Sequence, residues 1–170
     1  VGNSRKIVLY GDLNGLMAAR AFFTLDYLGQ SNRIAILDGG LEKWKAEKRE
    51  VSTQNKTPSV EAFVPIVNAK SVISLDTVRD VSWSVVNQNP SNFALIDARP
   101  KEEYTGEKAG DGVGRAGHIP GASSVFWLQN NLVSRENSVM KTEKELRQIY
   151  QNAGVTVEKT IVVYCRTGGQ

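Results

Sequence analysis

The sequence predicts an α/β fold, with a central parallel sheet in a three-layer arrangement of helices and strands, built as two modules that are each incomplete in this chain. Short apolar runs alternate with helical-period segments, the pattern of strand–helix units that pair in parallel. A ten-residue stretch near the start recurs near the end. Hydrophobic residues at 41% and charged residues at 23% of 170 positions suit a globular domain with a sizeable core.

In chain order, "KIVLY" (residues 6–10) is β-rich and apolar, a buried strand. "LMAARAFFTLDYLG" (16–29) spaces its apolar residues helically and stops at Gly29. "RIAIL" (33–37) is a second strand, and Asp38 with Gly39 and Gly40 turns it into the helix "GLEKWKAEK" (40–48), with Trp44 facing inward. Periodicity then fades, and Pro58 and Pro65 break any helix, so 51–73 reads as a linker between a first module (1–50) and a second (74–170). Ser74 caps a helix with Leu75, Val78, Val81 and Val85 on one face. "FALID" (93–97) is a strand, Glu102 and Glu103 form a solvated helix face, and a glycine-rich loop spans 106–121. Thr142 and Glu145 form a capping box for a helix ending at Gly154, before the strand "TIVVY" (160–164). Trp44, Trp83 and Trp127 are read as core or inter-module packing.

The repeat aligns "KIVLYGDLNG" (6–15) with "TIVVYCRTGG" (160–169) without a gap, at an offset of 154 residues. Ile7, Val8, Tyr10 and Gly15 meet identical residues, and Gly11 stands opposite Cys165. The chain therefore reads as the back half of one module, a linker and the front part of a second copy, with a nucleophile only in the second. On this reading it is part of a longer folded protein, or its ends complement each other.

Cys165 is the only cysteine. A strand that delivers a cysteine into a glycine-rich loop can surround the sulfur with backbone N–H groups, and a following helix N-terminus adds positive charge, both favouring the nucleophilic thiolate. Arg99 and Arg166 supply cations for an anionic substrate. The competing reading is a buried structural cysteine. One cysteine excludes an internal disulfide and a cysteine-rich zinc site, and with His118 the lone histidine no metal or cofactor is expected. Asp97 ends its strand as a structural residue that orients its neighbours and can pair with an arginine. The net charge of +3 is dispersed, without the basic stripe that nucleic acid needs, and no apolar run reaches membrane-spanning length. A cytoplasmic location is expected; secretion stays open because no initiator Met begins the chain. Oligomeric state stays open too.

Five stretches carry a family resemblance: "CRTGGQ" (165–170), "LIDARPKEEYTG" (95–106), "GHIPGA" (117–122), "YGDLNGLMAAR" (10–20) and "LDGGLEKW" (37–44). The chain resembles the tandem rhodanese-domain sulfurtransferases of the thiosulfate type. The resemblance implies that Cys165 takes the outer sulfur of a small anionic donor as a persulfide and passes it to cyanide or a thiol. It implies that Arg99, the arginine of the D-x-R motif, and Arg166 bind the donor. The backbone of Thr167, Gly168, Gly169 and Gln170 would line the active-site loop. His118 in "GHIPGA" would be structural. Most relatives carry an acidic residue where Gly11 stands; here Asp12 is next to it. The loop "RTGG" is closer to the thiosulfate branch than to the mercaptopyruvate branch. Alternatives are a 3-mercaptopyruvate sulfurtransferase, a cysteine phosphatase with a Cys-x5-Arg loop whose arginine would fall one position past Gln170, and a non-catalytic binding or regulatory module.

Overall fold

The computed structural model describes residues 2, 5–11, 13–55, 57, 61–133 and 138–168. The chain divides into two compact units, Val1–Val72 with Ser134–Val139, and Ile73–Val133 with Met140–Gln170.

In the first unit, β1 (Ile7–Leu9) leads to α1 (Leu16–Tyr27), β2 (Ile34–Ile36) and α2 (Gly40–Ala46). β1 and β2 pair in parallel, Ile7 opposite Ile34. Gly29, at φ +80°, ends α1 as the sequence predicts. A side chain there would collide with the Ile66 carbonyl. That approach exists because residues within the stretch read as a linker run back over the helix end: Ile66 and Asn68 donate to the carbonyls of Leu28 and Tyr27. They satisfy acceptors a helix terminus leaves open. Trp44 is half-buried rather than core; its indole N–H donates to the Glu50 carbonyl and the Arg49 guanidinium lies 5.2 Å from its ring.

The second unit contains α3 (Leu75–Asn87), β3 (Phe93–Asp97), α4 (Lys101–Thr105), β4 (Ser123–Ser124), α5 (Trp127–Asn131), α6 (Glu143–Asn152) and β5 (Thr160–Tyr164). Its sheet runs β4–β3–β5, parallel throughout, so β3 is central. Four of the five β3 residues are buried, as a strand covered on both faces requires. Ser74 caps α3 by accepting from the Thr77 N–H, and Thr142 with Glu145 forms the expected capping box on α6.

Val81 from α3, Leu95 from β3, Ala122 and Val162 from β5 form the core, ringed by Val85, Phe93, Ile119 and Tyr164. Burying a side chain the size of Leu95 contributes about 1.5–3 kcal/mol. Gly121 sits at φ +83° where an added Cβ would lie 3.0 Å from Val85 Cγ1, so the last glycine of "GHIPGA" lets this loop meet α3. Three expectations are corrected. Leu75 lies outside the buried face of α3, Trp83 is 61% exposed rather than core, and Glu103 is buried rather than solvated. Leu75 is the first residue of α3, ahead of the turns that meet the sheet, whereas Glu103 is drawn inward by two arginines.

Candidate active site

Parallel pairing brings the ends of β3 and β5 side by side, with Asp97 opposite Tyr164, and both strands release their chains on the same edge. Ligands in open α/β sheets collect at the carboxyl ends of strands. Here that edge carries Asp97, Arg99, Tyr164, Cys165 and Arg166.

Asp97 is completely buried and anchors the edge. Its Oδ1 accepts from the Arg99 backbone N–H and from Arg99 Nε, both at 3.0 Å. Its Oδ2 accepts from Arg99 Nη2 at 2.6 Å and from the Tyr164 hydroxyl at 2.8 Å. The Tyr164 oxygen in turn accepts from the Ile119 N–H at 3.1 Å, and Arg99 Nη2 also donates to the Gly117 carbonyl at 2.8 Å. One carboxylate thus ties the end of β3, the residue before Cys165 and the loop at 117–119 into a single network. The hydrogen bond to Asp97 raises the Arg99 pKa. Burial raises that of Tyr164, against the opposing bond from Ile119, so its hydroxyl stays protonated and remains a donor.

Cys165 is the first residue beyond β5 and is partly exposed. The Gly168 N–H donates to its sulfur at 2.8 Å. Gly168 adopts φ +71°, a region glycine enters without strain, within the turn that presents its N–H to Sγ. That is the inward-facing amide expected of a nest. Thr167 lies in the same turn; Gly169 and Gln170, also expected in the loop, lie outside the described residues, as does Asp12.

Cys165 opens into a cleft of about 580 Å³, within the size range of small-molecule sites. Arg99, Arg115, His118, Tyr164 and Arg166 line it with Cys165. The sequence places Arg99 on the substrate, yet its side chain is only 8% exposed and its Nε and Nη2 donors face Asp97 and Gly117, with Nη1 3.6 Å from Glu103. Arg166 is more accessible, with Nη1 3.9 Å from carboxylates of both Glu103 and Asp111. Glu103 Oε2 accepts no hydrogen bond and packs where Gly110 leaves room.

His118 stacks on the Tyr104 ring with centroids 3.8 Å apart, and its Nδ1–H donates to the Tyr104 carbonyl at 2.8 Å. These contacts give it a packing part in fixing the loop. Sequence reasoning missed Arg115; its position in a glycine-rich segment three residues before His118 was the available signal. Gly11, the counterpart of Cys165 in the repeat, follows β1 in the first unit and has no side chain to offer. Among the described residues no His, Cys, Asp and Glu group could hold a metal ion, and no helix is long and apolar enough to cross a membrane.

Comparison with known proteins bears on this geometry. The chain is 34% identical over 173 residues to the sulfur carrier protein TtuD of Thermus thermophilus, covering 98% of this chain and 58% of that protein. It is 30% identical over 175 residues to a Saccharopolyspora erythraea protein provisionally named a thiosulfate sulfurtransferase, covering 99% and 58%. The chain therefore spans a little under three-fifths of the length of these relatives. Among solved structures, the 3-mercaptopyruvate sulfotransferase SseA of Escherichia coli superposes with a TM-score of 0.78 at 28% identity, over 99% of this chain and 60% of that one. The Rhodanese-like domain model matches residues 82–170, from within α3 through Cys165, and on that match the chain belongs to the rhodanese family.

Proposed function

We propose that this chain carries the catalytic cysteine of a sulfurtransferase that moves sulfane sulfur from thiosulfate to a thiophilic acceptor. The observation that carries the reading is the Gly168 N–H donating to Cys165 Sγ at the mouth of an arginine-lined cleft. The Cys165 thiolate attacks the outer sulfur of thiosulfate. The S–S bond of the donor breaks, sulfite leaves with the electron pair, and Cys165 becomes a persulfide. Cyanide or a thiolate then attacks the outer sulfur of the persulfide, leaving as thiocyanate or as a new persulfide, and the Cys165 thiolate returns. Two displacements replace one difficult transfer. The amide at Gly168 favours anionic sulfur in both resting and loaded states. Arg166 favours an anionic donor, while Arg99 holds the cleft wall through Gly117.

The similarity to the Escherichia coli mercaptopyruvate enzyme supports a second donor, in which a carboxylate takes the place of the sulfite end. The first unit, in this reading, is a second module without a nucleophile: Gly11 follows the parallel strand β1 as Cys165 follows β5. Steady-state turnover with thiosulfate and with 3-mercaptopyruvate, each against cyanide, tests the assignment. Cys165→Ser is expected to abolish both activities; retained turnover in that variant overturns it.

A further inference from the structure

Residues 106–117 leave the body of the second unit and return to it at nearly one point. Gly106 at φ +84° and Gly117 at φ +101° mark the two ends, and an added Cβ on Gly106 would lie 3.2 Å from Gly117 N. This is an Ω-loop, a surface loop whose ends meet. Its base is fixed. The Lys108 N–H donates to the Glu102 carbonyl at 3.1 Å, and the Gly117 carbonyl accepts from Arg99. Gly110 packs over Glu103 and Arg166: a Cβ there would lie 2.8 Å from Glu103 Oε2 and 3.3 Å from Arg166 Cδ. Beyond Gly110 the hold weakens. The Val113 N–H donates to the Gly110 carbonyl, within the loop itself, and Gly112 and Gly114 have open space around them. Among the described residues, one polar contact ties 111–116 to the body: Arg166 Nη1 lies 3.9 Å from the exposed Asp111 carboxylate.

That weakly held stretch forms one wall of the Cys165 cleft, through Val113, Arg115 and Ala116. The rest of the lining is pinned. Asp97 holds Arg99 and Tyr164, while Tyr104 and Tyr164 hold His118 and Ile119. The width of the cleft at the sulfur is therefore set by its one yielding wall. We propose that the 106–117 loop selects the sulfur acceptor by size, pivoting at Gly106 and Gly117 and latched by Arg166 to Asp111. Latched, it passes cyanide or a short thiol; a bulky aromatic thiol reaches Cys165 only when the latch opens. The proposal rests on Cys165 being the reactive centre and deepens that reading by naming the element that decides which acceptor meets the persulfide.

The test is kept independent of sulfur transfer by alkylating the sole cysteine of the full chain with two neutral reagents of one chemistry and different size, N-methylmaleimide and N-(1-pyrenyl)maleimide. A change in thiolate population affects both and cancels in the ratio of their rate constants. Asp111→Asn is expected to raise the pyrenyl-to-methyl ratio about two- to fivefold, the range an exposed ion pair can supply. Added salt should raise the wild-type ratio toward that of Asp111→Asn and leave the ratio of the variant flat. Glu143→Gln, which removes an exposed ion pair on α6, is expected to leave the ratio unchanged and controls for net charge. An unchanged ratio in Asp111→Asn, or an equal rise in Glu143→Gln, overturns the proposal. If the ratio rises in Asp111→Asn alone but thiosulfate never loads Cys165, the size gate stands and the sulfur-transfer reading fails. With thiosulfate turnover present, Asp111→Asn should raise kcat/KM for naphthalenethiol relative to cyanide by the same two- to fivefold, about the reach of one exposed pair; equal values for the two acceptors overturn the selection of acceptors by this loop.

Discussion

Replacing Asp97 with Asn probes the network that holds the site. The native carboxylate has zero exposure and accepts from three donors of Arg99 and from the Tyr164 hydroxyl. Asparagine keeps the shape but offers at most one acceptor oxygen, so an NH2 group would face either Arg99 Nη2 or its own backbone and Nε donors. The Arg99 guanidinium, 8% exposed, would lose its principal counter-ion, with Glu103 3.6 Å from Nη1 as the remaining carboxylate. Breaking one side of a buried pair costs about 3–5 kcal/mol, a large share of the roughly 5–15 kcal/mol that holds a domain together. Urea denaturation should show a large fall in midpoint with the slope unchanged. Replacing both partners with apolar residues of similar size, Asp97→Leu with Arg99→Met, should cost less than Asp97→Asn alone, because no orphaned charge remains. A loss below about 1 kcal/mol in Asp97→Asn, well short of the cost of a broken buried pair, would refute the reasoning. So would additivity within about 0.5 kcal/mol in a cycle combining Asp97→Leu and Arg99→Met.

Three further outcomes follow from the same geometry. Tyr164→Phe removes a hydroxyl that both donates and accepts, and should cost about 1–3 kcal/mol near neutral pH. Since the folded Tyr164 has a raised pKa, the wild-type advantage is fully present below the unfolded value of about 10 and is lost as pH rises from there through the folded value; urea midpoints of the two proteins should converge, and a constant gap would contradict the linkage. Gly121→Ala forces a side chain into φ +83° and toward Val85, and should lower stability by about 1–3 kcal/mol; an unchanged melting temperature would show that α3 moves aside freely. Gly168→Ala strains a φ +71° turn by about 1–2 kcal/mol and should slow iodoacetamide alkylation of Cys165 about tenfold, whereas an unaltered rate would detach the Gly168 amide from the sulfur's reactivity.

What the sequence made legible was local. β3 and β5 are short β-rich runs, Ser74 and Thr142 announce helix starts by their own side chains, and Gly29 and Gly154 mark helix ends through positive φ. Cys165 stood out because it leaves a strand into glycines. Elements set by tertiary contact were less visible: β4 has two residues and α5 five, too few for any period to register. Glu103 looked solvated in "KEEYT"; Arg99, four residues earlier, is a local partner, but the approach of Arg166 from the end of β5 could not be read from that segment. The pairing of Asp97 with Arg99 is partly local, since Oδ1 also caps the Arg99 backbone N–H two residues on, a turn chemistry readable in "DAR". Its consequence was not readable: with Arg99 engaged, Arg115 lines the cleft without an ion-pair partner among the described residues.

The most direct test of the account is the mass of Cys165 after exposure to thiosulfate. The chain is incubated with thiosulfate, desalted and analysed by intact mass and by peptide mapping. The account predicts one added sulfur atom, confined to the Cys165 peptide, removed by cyanide with formation of an equivalent amount of thiocyanate, and absent from Cys165→Ser. Unmodified Cys165 after exposure to both thiosulfate and 3-mercaptopyruvate, or equal sulfur uptake by Cys165→Ser, would contradict it.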